Sequence, residues 1–389
     1  MTAPVPGSAR APGPAPDAPA LAERAVELPA QAWDALVGAD DFYLTSRWLR
    51  VIEETSGAAM GYLTAGPPHL PRAALATAHA QTSAPWLSGR PDTLLQRCVK
   101  EEQPGAAEFA ATLTGDATEA LMPALVCGGR HLGRNRVLVP AGHVGEQDAA
   151  RLVRAAEDRA RTLGARSVAF LYVDERDTAL RELLATRGYR CFRSGRYSWL
   201  PLPEGGLDGY LATLSGHRRR RILAERRQLR AVDVRVEIEP LHSGSIARLA
   251  ALEAELLTKY GMRWLPRQSE EIFGQVLTHV GEHAQVSVAR RDGDVLGFAL
   301  LLRHRDQWFA HRAGFDYEAQ GNLPVYFETL FYRPAELAAE FGVTAVHYGT
   351  GSVAAKQSRG CAAVDQHAFV LPLEDTPAQA GPRSQGAGG

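Results

Sequence analysis

Four residues in the last third of this chain have the chemistry of proton transfer, and all fall between Trp308 and Gly360. His311 titrates near neutrality, the range a general base needs. Tyr348 can protonate a departing thiolate or alkoxide, and Asp316 and Glu328 can accept a proton in place of the histidine. Each also has a plainer reading: strand or rim packing for His311 and Tyr348, capping or surface solvation for Asp316 and Glu328. Two cations, Lys356 and Arg359, follow on a short helical stretch, where they either contact an anion or line a solvated face. Gly349-x-Gly351 by itself marks a turn.

A second chemical signal lies upstream, where His217 to Arg230 holds seven arginines in 14 residues, with Arg218, Arg219, Arg220 and Arg221 consecutive. Such density exceeds an ordinary solvated face and marks contact with a polyanion: RNA phosphates, a nucleotide or the acidic helix of a carrier protein. Only Glu225 lies within the run, so the competing reading is neutralisation by acids elsewhere, such as Glu253 and Glu255. Other chemistries lack their residues. His279 and His283 stand four apart without the intervening Glu or a third ligand, so no metal is expected. Neither a Gly-x-Ser-x-Gly elbow nor a Gly-x-x-x-x-Gly-Lys-Ser/Thr loop occurs. Cys98, Cys127, Cys191 and Cys361 form no Cys-x-x-Cys pair, which points to a reducing compartment.

The elements that must position these residues repeat one pattern. From Ala149 to Leu163 apolar residues recur at helical spacing and Gly164 stops the helix; Ser167 to Val173 reads as a strand, Thr178 to Arg187 as a helix, and Tyr189 to Leu202 as a long strand. A helix from Leu323, kinked at Pro334, then a strand Thr344 to Tyr348, a short helix Val353 to Ser358 and a strand Val364 to Leu373 give the same order. Ahead of this second set, Ala284 to Arg290 and Val295 to Arg303 flank Arg291-Asp292-Gly293-Asp294 as a hairpin, with Gln307 to Ala313 as the next strand. The basic run forms a helix between the two sets, preceded by Leu207 to Leu214 and followed by Ile246 to Tyr260. In the first set Ala73 to Ala80 and Arg136 to Pro140 are the expected strands, and Ala84 to Gly128 has no readable period. Antiparallel strands followed by helix, strand, helix, strand make an α+β fold.

At 389 residues the chain exceeds what one core usually serves, so two domains are expected. Hydrophobic residues at 45%, charged residues at 22% and a net charge of -1 exclude wholesale disorder and a nucleic-acid coat protein. Ala, Pro and Gly dominate 1–25, and Pro, Gly, Gln and Ser dominate 375–389, so both are expected as disordered tails. Between them lie 26–203, a basic helical linker at 204–243, and 244–374. No apolar run approaches about 20 residues and no secretion leader precedes the fold, so a cytoplasmic protein without a membrane span is expected.

Three stretches carry a resemblance to a known family. They are the linker His217-Arg218-Arg219-Arg220-Arg221-Ile222-Leu223 with Arg226-Arg227; Gly314-Phe315-Asp316 followed by Val325-Tyr326-Phe327-Glu328; and Tyr348-Gly349-Thr350-Gly351 followed by Lys356 and Arg359-Gly360. Over 28–372 the chain resembles the GNAT superfamily, in its tandem-domain branch related to Fem-type aminoacyltransferases and the BioF-like acetyltransferase domain. The resemblance implies two tandem GNAT-like domains, each a mixed, mostly antiparallel sheet flanked by helices. It implies an N-acyltransferase that moves an acyl group from coenzyme A or another acyl thioester to the amine of a small molecule. Its reacting gap would be a splay between Trp308 to Ala313 and Thr344 to Tyr348, where a backbone N–H meets the developing oxyanion. Donor contacts would come from Gln320, Gly321, Asn322, Lys356 and Arg359. Gln320-Gly321-Asn322-Leu323 keeps the first two positions of the family's pyrophosphate turn and loses its second small residue. Some members of the branch take the group from aminoacyl-tRNA or a carrier protein, so a tRNA-dependent aminoacyltransferase forming a peptide-like bond is the alternative. The first copy has no such turn and is expected to shape the cleft. A monomer or dimer is expected.

Overall fold

The computed structural model describes residues 18–67, 69–83, 87–130, 133–140 and 146–373. In the first half the elements run β1 (Ala20–Ala22), α1 (Ala30–Ala35), α2 (Ser46–Thr55), β2 (Ala59–Ala65), β3 (Ala73–Ala80), α3 (Pro91–Lys100), α4 (Ala106–Ala110), α5 (Ala117–Leu121), β4 (Ala124–Cys127), α6 (Glu146–Thr162), β5 (Ser167–Asp174), α7 (Thr178–Thr186) and β6 (Arg190–Pro201). The second half continues with α8 (Gly206–Ala212), α9 (Gly216–Ala231), β7 (Arg235–Pro240), α10 (Ser243–Lys259), α11 (Pro266–His279), β8 (Ala284–Arg291), β9 (Asp294–His304), β10 (Gln307–Phe315), α12 (Tyr317–Gln320), α13 (Val325–Phe327), α14 (Arg333–Leu337), β11 (Ala345–Gly349), α15 (Val353–Gln357) and β12 (Ala362–Pro372). Two expectations change here. Ala20–Ala22 pairs antiparallel with Thr64, Leu63 and Tyr62, and Ala25 is fully buried, so the inner end of the expected tail 1–25 is ordered by the free edge of β2. Arg136 to Pro140 forms no strand beyond one bridge, Leu138 to Ala74. Residues 1–17 and 374–389, which hold the rest of both expected tails, lie outside the described residues.

One twelve-stranded sheet runs through both halves in the order β1-β2-β3-β4-β5-β12-β6-β11-β10-β9-β8-β7. The last strand of each half is exchanged: β12 lies between β5 and β6, while β6 pairs with β11 on its other side. The boundary expected at 203 and 204 is thus crossed by the sheet, and neither half closes its hydrogen bonding without the other's last strand. Two parallel pairs interrupt the antiparallel order, β4 with β5 and β10 with β11, one in each half and each only three residues long.

The hairpin of β8 and β9 turns at Asp292 and Gly293, whose φ of 54° and 91° suit a tight turn of the sense that matches strand twist. On one face α1, α2, α10 and α11 share a core that spans both halves: Trp33, Phe42, Trp48 and Tyr62 meet Phe273, Phe298 and Phe309. Burial of these rings fixes α2 between the halves and brings Trp48 to β10. The opposite face is covered by α6 and α7 in the first half and by α8, α9, α13 and α14 in the second.

Candidate active site

The second parallel pair aligns Gln307, Trp308 and Phe309 with Ala345, Val346 and His347, and the strand pairing stops there. Beyond it β10 bulges between Ala310 and Arg312, so His311 is the extra residue. Its ring meets Trp48 edge-on at 4.7 Å and lies 5.8 Å from Tyr43. Gly314 lets α10 reach this strand, because a Cβ there would stand 2.4 Å from Glu253 N. Arg312, beside His311, donates to Glu253 at 2.6 Å.

The other lip of the gap carries Lys356. Its ammonium donates to the carbonyls of Tyr348 (2.8 Å), Gly349 (3.0 Å) and Thr350 (2.8 Å), the last residues of β11 and those just beyond. Three donors meet three acceptors, so the cation is fully bonded although only 5% exposed. Burial pulls its pKa down to about 8, which leaves it mostly charged at neutrality.

The remaining residues singled out in the sequence are held by other contacts. Tyr348 stacks on Phe331 at 4.4 Å and donates to Leu330 O at 2.7 Å. That carbonyl stands four residues before Pro334, which has no N–H to give it, and a π turn at Glu328–Tyr332 passes over the defect. Tyr348 therefore repairs the helix instead of facing the gap, and burial raises its pKa far above the usual value. Glu328 accepts from buried Arg226 at 3.0 Å, and Arg226 also reaches Glu336 at 2.7 Å, so the carboxylate expected as a base is a counterion of the basic helix. Glu253, expected as a counterion there, instead serves Arg312. Arg359 lies with its guanidinium carbon 3.5 Å from the centre of the Phe327 ring, donates to Tyr332 Oη at 3.0 Å and meets Glu225 at 3.4 Å. It is buried and committed. Asp316 caps α12 through Ala319 N at 2.8 Å and pairs with Arg248 at 2.9 Å; the cap and the pair hold its carboxyl below the usual range.

The turn after α12 retains little of a phosphate cradle. Gln320 N donates to Asp316 O and Leu323 N to Gln320 O, both at 3.0 Å, and Pro324 has no N–H. Gly321 takes a φ of 52°, and the buried Gln320 Oε1 has no hydrogen-bond partner among the described residues. By contrast Arg218, Arg219, Arg220 and Arg221 are all exposed on the first turns of α9. Arg218 donates to Gln357 O at 3.2 Å, next to Lys356, which sets this cationic surface beside the loop that holds the gap's own cation.

Two contributors had no sequence signal. His347 stacks on Phe309 at 4.5 Å, and burial pushes its pKa to about 3, so it is neutral: Nε2 donates to Gln307 Oε1 at 2.5 Å and Nδ1 accepts from Tyr197 Oη at 3.0 Å. Asn135 fills the matching gap of the first half. Its side chain accepts from Leu171 N (3.0 Å) and Tyr172 N (2.9 Å) and donates to Gly128 O (3.1 Å) and Gly129 O (3.4 Å). A lone Asn just ahead of the expected strand Arg136 to Pro140 could not be distinguished from a turn residue. Among the described residues no group of His, Cys, Asp and Glu is placed to hold a metal, and no helix is long and apolar enough to cross a membrane.

A mixed sheet with a short parallel pair in each half, and in the second half a bulged strand followed by an interrupted helix, defines a tandem GNAT-like acyltransferase. The family described as FemAB-like, peptidoglycan biosynthesis/recognition, matches residues 131–379, and the chain belongs to it. Among solved structures, FemX superposes with a TM-score of 0.61 at 12% identity, covering 89% of this chain and 96% of that one. A tandem GNAT protein from the clavulanic acid biosynthesis pathway gives 0.49 at 14% identity, with 88% and 92% covered. The C-terminal domain of a putative lysylphosphatidylglycerol synthetase from Agrobacterium fabrum gives 0.46 at 15% identity, with 64% and 78% covered. Comparison with curated protein sequences gives no match.

Proposed function

We propose that the protein is an aminoacyltransferase that takes an ester-linked aminoacyl group from tRNA and joins it to the amine of a small acceptor. The observation that carries this reading is the turn at Gln320 to Pro324: two of its N–H groups are used internally and a third is missing. A coenzyme A pyrophosphate would find too few donors there. A tRNA would lay its phosphates on Arg218 to Arg221, outside the gap, and bring only its acylated end to Lys356. The acceptor nitrogen attacks the ester carbonyl, the C–N bond forms, and the C–O bond to the ribose breaks. His311 takes the proton of the attacking nitrogen and returns it to the departing ribose oxygen. A backbone N–H of the gap would bond the carbonyl oxygen in between, while Lys356, whose three N–H groups are taken, would contribute only the charge it holds on the gap's lip. A tRNA donor also implies a cytoplasmic site of action. The test is a reconstituted transfer with charged tRNA and cell-extract small molecules, run with and without ribonuclease. Loss of transfer on digestion is expected; transfer that survives digestion and needs an acyl-coenzyme A or carrier thioester would replace this reading with the thioester one.

A further inference from the structure

The first half has its own cleft in the position equivalent to the donor side of the second. It lies between the N-terminal ends of α6 and α7, has a volume of about 490 Å³, and is walled by Val137, Val139, Ala149, Leu180 and Leu183. That size falls within the usual range of small-molecule sites, roughly 300 to 1,000 Å³. Its rim has the wrong sign for a phosphate: Glu146 opens α6, Asp177 caps α7 through Leu180 N, and Glu182 follows one turn later. One rim cation, Arg136, is already taken by Asp41 at 3.1 Å and Asp177 at 3.5 Å. Glu146 and Glu182 are exposed and have no ionic partner among the described residues. The neighbouring cavity, which shares Arg136 and Asp177, differs in this respect, since its Asp40, Arg134, Asp174 and Arg176 neutralise one another.

We propose that this cleft binds an amphipathic amine or guanidine, its apolar body against Val139, Leu180 and Leu183 and its cationic head between Glu146 and Glu182. Two carboxylates left without counterions at the mouth of an apolar cavity favour a ligand that brings a positive charge and apolar surface together. The helix dipoles at this spot would favour an anion, but the full carboxylate charges of Glu146 in the first turn of α6 and Glu182 in the second turn of α7 outweigh the half-charge of each helix end. The site is separate from the gap at His311 and Lys356, so it stands or falls independently of the donor's identity.

Calorimetric titration of the full chain with 4-phenylbutylamine, 4-phenylbutanol and 4-phenylbutyrate tests it. The amine is expected to bind about ten-fold more tightly than the alcohol, the discrimination that two partly exposed ion pairs supply, and the acid least. The double variant Glu146→Gln, Glu182→Gln should level amine and alcohol while leaving alcohol binding intact, which separates the charge from the fold. Leu183→Trp should reduce binding of both. Equal affinity for amine and alcohol in the natural chain, tighter binding of the acid, or no saturable binding of the amine would each overturn the proposal.

Discussion

The two halves open the same gap between a pair of short parallel strands and treat it in opposite ways. In the first half a neutral amide, Asn135, bonds both sides at once: the residues after β4 through Gly128 and Gly129, and β5 through Leu171 and Tyr172. Its segment lies so close that a Cβ on Gly128 would stand 2.6 Å from Arg136 N. In the second half an ammonium, Lys356, bonds one side only, at the carbonyls of Tyr348, Gly349 and Thr350. A side chain with donors and acceptors stitches a gap shut; one with donors alone leaves it open with a charge on its lip. The first gap is thereby bridged on both sides, and the second is left with a cation on one side, the arrangement on which the proposed transfer rests.

The sharpest way to break this comparison is Asn135→Leu. It strands four backbone groups, each worth about 1–3 kcal/mol when buried without a partner, so a stability loss of about 4 kcal/mol or more is expected. Urea unfolding measures it, and turnover per folded molecule should stay unchanged. A loss of turnover at full stability would mean that the first gap also reacts.

Lys356→Met should cost turnover, measured per folded molecule, as well as stability, because it strands the carbonyls of Tyr348, Gly349 and Thr350. Turnover is expected to fall about 10²-fold, roughly 3 kcal/mol of transition-state stabilisation, with donor binding retained. Because the pKa of Lys356 lies at about 8, its charge is present below that pH and lost above it. The natural enzyme should therefore slow as pH rises through about 8, and the methionine variant should lack this limb; an unchanged limb in the variant would assign it to another group.

Replacing Arg218, Arg219, Arg220 and Arg221 together by Ala acts outside the gap. These side chains are exposed, so stability should change by less than about 0.5 kcal/mol for each. Donor KM should rise at least about ten-fold and lose most of its salt dependence, with kcat little affected. The smallest effect belongs to Tyr348→Phe, which leaves Leu330 O unbonded: about 1–2 kcal/mol of stability, and turnover within about three-fold. A hundred-fold loss there would restore Tyr348 as a proton donor.

Much of the second half was legible because its signals are local. The hairpin turn at Asp292-Gly293 and the amphipathic helices need only neighbours in sequence, and the α+β order followed from them. The resemblance rested on the same local runs. The stretch from Ala84 to Gly128 was not legible, since α3, α4 and α5 are short and bury their apolar faces against strands from both ends of the chain, among them β6 and β12. The site divided in the same way. Arg218 to Arg221 are exposed, with Arg221 paired to Glu225, whereas Glu328 and Arg359 proved to be paired with partners about a hundred residues or more away, Arg226 and Glu225.

By itself the sequence determined most of the helices and strands of the second half and where the positive charge concentrates. Those properties depend on side-chain type and short-range spacing. Only the tertiary structure decided that the final strands change places, that Tyr348 answers a carbonyl orphaned by Pro334, and that Asn135 and Lys356 do unlike things at like positions. Each of those outcomes is a matter of which buried donor meets which buried acceptor, and partners distant in the chain are chosen by packing rather than by any pattern along it.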